Sequence, residues 1–420
     1  MIGNLLPFLM LGIFLAAVLT RPLSKQKLVS LPAALVFLGF VSSEVWVSLG
    51  QDTGLRWQIL RDLVFYLLLP MLIFEAAINI NIRYLRREGL LIGTMAVPLL
   101  LVAAAIAGWV VYYLIGDSLG NVFSLALLIG VMISATDPTA IPGIVHGSGL
   151  PKRLGRLLEG EGLVNDATSI TLFVMISTLL VDPNAEITAL SVSGQFLLAL
   201  FGSVLLGMML GWVFFQIIRP LNDVVLTTSV TLVLAFLSFW IAEHLLGWSG
   251  VVATLSAGLT FAFCENKHRS EEDVAFALNS WRILGFCADA MLFFLVGMSI
   301  TVAMFQDHWL TMLVGILAAF VSRAVIVYFG IGPLSKLPKQ KTLYISDQNI
   351  IMWGGTRGAV AIAMALSLST DIPFWYTIQS AVYGVALFSM VVQTPLLALV
   401  TIKRKESRKQ AQSSASSNTD

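Results

Sequence analysis

The chain is 420 residues long, 57% hydrophobic and only 12% charged. Soluble domains carry about twice that charged fraction, which excludes an ordinary soluble fold. A net charge of +1 provides no bulk field to recruit nucleic acid or another highly charged partner.

Apolar runs of about 20 residues, each able to cross roughly 30 Å of hydrocarbon, recur along nearly the whole chain. Thirteen are expected, at 4–20, 29–49, 60–80, 89–115, 121–148, 158–181, 188–218, 223–246, 248–264, 277–305, 308–331, 349–370 and 374–401. The predicted fold class is an all-α polytopic membrane protein. The first run is apolar from Leu5 to Leu19, and its basic residues Arg21, Lys25 and Lys27 follow rather than precede it. That order is the reverse of a cleaved signal peptide and reads as a retained helix with its N-terminus outside. Nearly all of the 25 Lys and Arg residues then fall in alternate loops on one side. Arg56 and Arg61 fall on the other side, and Arg323 and Arg357 lie within spans. This asymmetry predicts thirteen crossings with the C-terminus in the cytoplasm. Residues 1–401 form the expected transmembrane domain, and 402–420 a short, disordered cytoplasmic tail. Cys264 and Cys287 lack metal-ligand spacing, the four histidines form no ligand set, and no cofactor is expected.

Helix breakers interrupt two spans. The fifth contains Ser134-Ala-Thr-Asp-Pro138 followed by Pro142-Gly143, and the twelfth contains Gly354-Gly-Thr-Arg-Gly358. Proline removes a backbone donor and clashes with the preceding turn, while clustered glycines favour irregular backbone. Such backbone survives at membrane depth only where protein or a water-filled cavity covers it. The broken spans are seven positions apart, an odd number, so the two run in opposite directions. Two inverted six-helix repeats, 1–6 against 8–13, would produce that arrangement. Their discontinuous helices 5 and 12 would cross at the midplane, where transporters of this build hold substrate.

Charges accompany both breaks. Asp137 can stabilise the positive end of a half-helix, and Arg357 can serve exposed carbonyls at the second break. Between the breaks, the sixth span carries Glu159, Glu161, Asn165 and Asp166 in an apolar setting. A charge at bilayer depth is expensive and marks an ion pathway or a paired group. Glu161 and Asn165 share one face at i,i+4, and Gly162 and Asp166 form the adjacent ridge with Ser169 one turn on. Asp166, Thr136 and freed carbonyls can together replace the hydration shell of a monovalent cation, with Asn165 fixing the geometry. A buried carboxylate that holds either a proton or a cation, but never both, is sufficient for exchange. A lone buried guanidinium is untenable, so Arg323 needs an acid, and Glu161 is the candidate. Asp289 in the tenth span could relay protons or merely face water. Glu75 in the third span and Glu159 could stand at the cytoplasmic entrance.

At these motifs the chain resembles the monovalent cation–proton antiporters, in the sodium/proton exchanger (NhaP-like) branch. The matching segments are Ser134-Ala-Thr-Asp-Pro-Thr-Ala140, Leu157-Leu-Glu-Gly-Glu-Gly-Leu-Val-Asn-Asp166 and Trp353-Gly-Gly-Thr-Arg-Gly-Ala-Val360. Leu68-Leu-Pro-Met-Leu-Ile-Phe-Glu75 and Phe293-Phe-Leu-Val-Gly297 also match, and all occur in family order. The resemblance implies a homodimer of thirteen-helix protomers, each with a dimerisation domain and a six-helix core. It implies that Asp166 is the exchanging carboxylate assisted by Thr136, that Glu161 pairs with Arg323, and that Asn165 replaces the first Asp of an Asp-Asp motif. Exchange would then be electroneutral, one Na⁺ or Li⁺ for one H⁺, by elevator-like alternating access; K⁺/H⁺ exchange is the alternative. Gly162 stands where relatives often carry Ser, and Asp289 where many carry Asn. A passive cation channel would leak without coupled proton flux. An intramembrane aspartyl hydrolase would require Asp137 and Asp166 to cooperate.

Overall fold

A backbone N–H or C=O left unpaired in hydrocarbon costs several kcal/mol, and a helix pairs these groups within itself. The computed structural model accordingly consists of helices, with no strand among the described residues. It describes residues 2–26, 30–50, 57–80, 82–137, 151–181, 189–220, 223–265, 271–334, 343–397 and 399–401. Each expected apolar segment contains helix. Among the described residues, nine helices are long and apolar enough to cross a membrane.

In chain order, α1 is Ile2–Gln26 and α2 Leu31–Ser48. A π turn separates α3 (Trp57–Leu63) from α4 (Leu69–Asn79). Then follow α5 (Ile82–Ala96), α6 (Pro98–Ile115), α7 (Phe123–Ser134), α8 (Lys152–Val181) and α9 (Ala189–Ile218). Next come α10 (Val224–Trp240), α11 (Gly250–Glu265), α12 (Glu271–Ser299) and α13 (Val302–Val325). The last are α14 (Ile345–Gly354), α15 (Ala359–Leu366) and α16 (Trp375–Phe388), which continues into a π turn at Ser389–Gln393.

Some expected boundaries move. Segment four, expected at 89–115, is one candidate span, Arg87–Leu119, in which α5 gives way to α6 at Val97 because Pro98 occupies the first turn of α6. Segments ten and eleven, expected at 277–305 and 308–331, divide earlier. Thr301 adopts an extended N-cap backbone, so α12 stops at Ser299 and α13 begins at Val302. The Ile300-Thr301 junction carries neither Pro nor Gly, and hydropathy runs through it. The helix α8 starts at Lys152, well ahead of the apolar run. Its charged first turns are tied to α5, where Arg153 Nε donates to Glu88 Oε1 at 3.0 Å and Tyr84 Oη donates to Arg153 O at 3.0 Å. Burial there, reinforced by Glu88, pushes the Tyr84 phenol up to about 12.

Two sets of helices pack most extensively within themselves. In the first, α9 lies on α11, α2 on α12, and α4 on both α11 and α12. Small residues set these approaches, as is common where lipid supplies no hydrophobic drive between helices. A Cβ on Gly297 of α12 would stand 2.8 Å from the Phe40 backbone N of α2. In the second set, α6 lies on α7, α13 on α6 and α16, and α5 on α8. The sets meet where α8 touches α9 and α11 and where α12 touches α15. Hydrogen bonds cross that seam between Thr171 and Ser249 (2.7 Å) and between Ser299 and Tyr383 (2.8 Å).

Candidate functional site

The site begins at two places where helix stops inside the second set. The helix α7 ends at Ser134, and Ala135 turns extended (φ −60°, ψ 130°). Residues 355–358 are likewise non-helical between α14 and α15. Pro138, Pro142, Gly143 and His146 lie outside the described residues. The two interruptions pair with each other. Asp137 N donates to Thr356 O at 2.8 Å, and Thr356 Oγ1 donates to Asp137 O at 2.8 Å. Backbone groups stranded by one break are thus satisfied by the other.

The charges cross over as well. Asp137 Oδ2 accepts from Ala359 N at 2.7 Å, placing the carboxylate on the N-terminus of α15, where the helix dipole favours an anion. Gly358 is packed directly against that carboxylate and leaves no room for a side chain. Arg357 Nε donates to Ile133 O at 2.9 Å near the C-terminus of α7, and Nη2 donates to Ala319 O of α13 at 3.1 Å. Its Nη1 donates to Gly355 O, beside its own break. Asp137 and Arg357 therefore each stabilise the other segment's half-helix, because the crossing brings opposite helix ends together.

The last carbonyls of α14 are also covered. Arg323 is 2% exposed and donates through Nη2 to Ile351 O at 3.1 Å. The same guanidinium grips Glu161 with two nitrogens, Nη2 to Oε2 at 3.0 Å and Nη1 to Oε1. This pair links α8 to α13 and leaves neither Glu161 oxygen without a donor. Gln393 donates to Trp353 O at 3.0 Å and to Gly355 O at 3.2 Å. Sequence reasoning passed over Gln393; the available signal was an amide side chain inside an apolar span.

The helix α8 runs beside this crossing. Asn165 Nδ2 donates to Thr136 Oγ1 at 3.0 Å and, more weakly, to Ser134 O at 3.4 Å. Ser169 Oγ donates to Asn165 Oδ1 at 3.0 Å. The expectation that Ser169 serves the Asp166 ridge is corrected, since residues 165 and 169 lie at the i,i+4 spacing. Asn165 is therefore held between α7 and its own helix, with Thr136 as its partner. Asp166 is 7% exposed, yet its Oδ1 makes no hydrogen bond among the described residues. The charged group acting on it is Asp137. Glu161 and Asp166 thus share one buried helix and differ fully in their partners.

Asp289, on α12, also has a buried oxygen with no hydrogen bond among the described residues. Asp137 and Glu75 are the charged groups that act on it. Glu75 on α4 accepts from Asn79 Nδ2 at 2.8 Å through Oε1. Glu159 is half-buried on α8. Among the described residues no group of three or more His, Cys, Asp or Glu side chains forms a metal-binding cluster. Chemically, the arrangement provides a hydrogen-bonded polar crossing beside a carboxylate, Asp166, with an oxygen uncommitted among the described residues.

Comparison with known proteins adds the following. A family model described as "Sodium/hydrogen exchanger, transmembrane" matches residues 9–403. The chain is 29% identical over 366 residues to the Na⁺/H⁺ antiporter NhaH of Halobacillus dabanensis, covering 86% of this chain and 88% of the relative. It is 30% identical over 337 residues to the Na⁺/H⁺ antiporter NhaP of Pseudomonas aeruginosa, covering 77% of each. In three dimensions it resembles the sodium proton antiporter MjNhaP1 of Methanocaldococcus jannaschii at pH 8. That likeness has a TM-score of 0.82 at 17% identity, over 96% of this chain and 99% of that one.

Proposed function

The chain belongs to the sodium/hydrogen exchanger family, and from that premise we propose that this multi-pass membrane protein is a secondary antiporter exchanging Na⁺ or Li⁺ for H⁺. The observation that carries the reading is the uncommitted Oδ1 of Asp166, buried beside the crossing of two broken segments. Every other charge at the crossing already has a partner: Asp137 has Ala359 N, Arg357 has three carbonyls, and Glu161 has Arg323. A buried carboxylate without a partner is unstable as a bare anion. It is stabilised equally by a bound proton or a bound cation, and the two exclude each other. One site visited alternately from each side then exchanges one for the other, at a 1:1 electroneutral ratio.

In this reading Asp166 is the exchanging group. The Thr136 hydroxyl, with Asn165 holding it, and carbonyls freed at the break complete the oxygen shell of a monovalent cation. Asp137 and Arg357 compensate the half-helices, and the Glu161–Arg323 pair fixes α8 against α13. Thirteen crossings in two inverted repeats belong to the same proposal, as do an outside N-terminus, a cytoplasmic tail at 402–420 and a homodimer. Alternating access follows if the set containing α8 and the crossing moves against the set built on α9, α11 and α12. NhaH and NhaP are Na⁺/H⁺ antiporters by name, which supports Na⁺ as the cation over K⁺.

The test is purified protein in liposomes with a lumenal pH dye, given Na⁺, Li⁺ and K⁺ in turn. Coupled proton movement with Na⁺ and Li⁺ is expected. The apparent Na⁺ affinity should rise with pH as protons compete less. Asp166→Asn should abolish exchange while leaving the thermal melt near wild type, because among the described residues Oδ1 forms no hydrogen bond to lose. Movement with K⁺ alone would replace the cation assignment, and no coupled movement with any cation would overturn antiport.

A further inference from the structure

We propose that the adjoining first turns of α5 and α8 bind the headgroup of an anionic phospholipid, with Arg87, Lys152 and Arg156 as its charged contacts. The two candidate spans built on these helices begin at Arg87 and Lys152, so the cations stand where the apolar band gives way to headgroups. The helix starts meet there. Tyr84 Oη donates to Arg153 O at 3.0 Å, and Arg153 Nε donates to Glu88 Oε1 at 3.0 Å. Further in, a Cβ on Gly160 would stand 2.7 Å from Ile92 Cδ1, so α5 and α8 run parallel from that face. The positive ends of both helix dipoles therefore open on one place.

Three exposed cations gather around Tyr84. The Arg156 guanidinium lies 5.7 Å over its ring, a contact that orients the cation without neutralising it. Arg87 follows Tyr84 by one turn on α5, and Lys152 precedes Arg156 by one turn on α8. All three are exposed, and none forms an ion pair with an acid among the described residues. Of the acids on these turns, Glu88 is buried and tied to Arg153, and Glu159 is half-buried. The surface is left positive and complementary to a phosphate diester. The neighbouring apolar strip points to a lipid rather than a free anion. Leu90, one turn beyond Arg87, is 69% exposed, and a Cβ added at Gly89 or Gly93 would meet nothing within 4 Å. This side of α5 thus passes from an exposed cation to apolar and open positions deeper in the span. A phospholipid has the same order, headgroup and then acyl chain, whereas inorganic phosphate would leave the strip unused.

The experiment follows the thermal melt of the purified protein in a neutral detergent as phosphatidylglycerol, or phosphatidylcholine with the same acyl chains, is added. Phosphatidylglycerol should raise the melt saturably, and phosphatidylcholine at the same mole fraction should not. Arg87→Gln, Lys152→Gln and Arg156→Gln should each raise the half-saturating lipid fraction about fivefold, as expected for loss of one cation at an anionic surface. The half-saturation point is read against each variant's own lipid-free melt, so a modest loss of stability does not obscure it. Arg219→Gln removes an exposed cation at the end of the Gly194–Ile218 span and should leave the half-saturation point unchanged. Equal weakening by Arg219→Gln would mean diffuse surface charge and would overturn the site. Equal stabilisation by phosphatidylcholine would overturn the anionic preference, and equal stabilisation by inorganic phosphate would overturn the lipid. Unchanged half-saturation in all three variants would overturn the residue assignment. None of these outcomes bears on the antiport reading, which assigns no step to these residues.

Discussion

Two crossings in this molecule are held by different means. Where α2 meets α12, contact is backbone against backbone, with Gly39 and Gly297 facing and no charge involved. Where α7 meets the break between α14 and α15, contact is made by side chains that replace lost helix bonds: Asp137, Thr356, Arg357, Arg323 and Gln393. The first crossing spends dispersion, which is non-directional and tolerant of sliding. The second spends directional hydrogen bonds, each oriented toward a particular carbonyl or N–H. Only the second can leave polar atoms over, and among the described residues these are Asp166 Oδ1 beside it and Arg323 Nε within it. Irregular backbone in a membrane carries many obligations, and here the backbone partners are supplied by side chains while the Asp166 carboxylate keeps an oxygen uncommitted among the described residues.

The largest effect that would break this comparison is at Arg323. Arg323→Leu leaves Glu161 buried without its donors and strips Ile351 O of its partner. Removing one member of a buried pair costs about 3–5 kcal/mol, so the melt should fall far more than for any change at α2. Exchanging the two residues, as Glu161→Arg with Arg323→Glu, should recover folding better than either reversal alone. A double variant no more stable than the singles would show that the pair contributes little to holding α8 on α13.

The sequence made the breaks legible, because Pro138 and the glycines at 354, 355 and 358 carry their backbone consequences in any context. It also made Asp166 and Arg323 legible, since a charge in an apolar run always requires an explanation. Which helix ends Asp137 and Arg357 serve was not legible. Their partners, Ala359 N and Ile133 O, lie on the opposite broken segment, and no local pattern reveals which helix ends meet. Gln393 was missed because an uncharged amide barely lowers the hydropathy of its span. The end of α12 at Ser299 was missed because Ile300-Thr301 breaks the helix without Pro, Gly or charge. Local chemistry located the site, while the crossing that gives each group its role is tertiary.

An intermediate effect tests the apolar crossing. Gly297→Val places methyl groups where Phe40 N already stands 2.8 Å from the ideal Cβ position. Overpacking of this kind typically costs about 1–3 kcal/mol. The melt should fall accordingly, while the Na⁺ dependence of whatever exchange survives stays near wild type, because no group at the polar crossing is touched. A changed cation affinity in this variant would show that the two crossings are coupled, and the contrast drawn between them would fail.

The smallest effect is at Gln393. Its amide nitrogen serves two carbonyls, at Trp353 and Gly355, but Gly355 O also accepts from Arg357 Nη1. Gln393→Leu therefore orphans one carbonyl, that of Trp353, at the end of α14. A buried acceptor left alone costs about 1–3 kcal/mol, and relaxation of a helix end toward other donors brings the expected loss to the low end of that range. The informative readout is function. Gln393 is 1% exposed in the π turn after α16, and its hydrogen bonds among the described residues go to Ser389, Trp353 O and Gly355 O, so it bears on Asp166 through the backbone of the break. If the geometry of residues 355–358 sets the oxygen shell around Asp166, Gln393→Leu should weaken apparent Na⁺ affinity severalfold, out of proportion to its small effect on the melt. Affinity unchanged at equal stability would mean that Arg357 and Thr356 hold the break without help, and that the redundancy of the polar crossing extends to its outermost member.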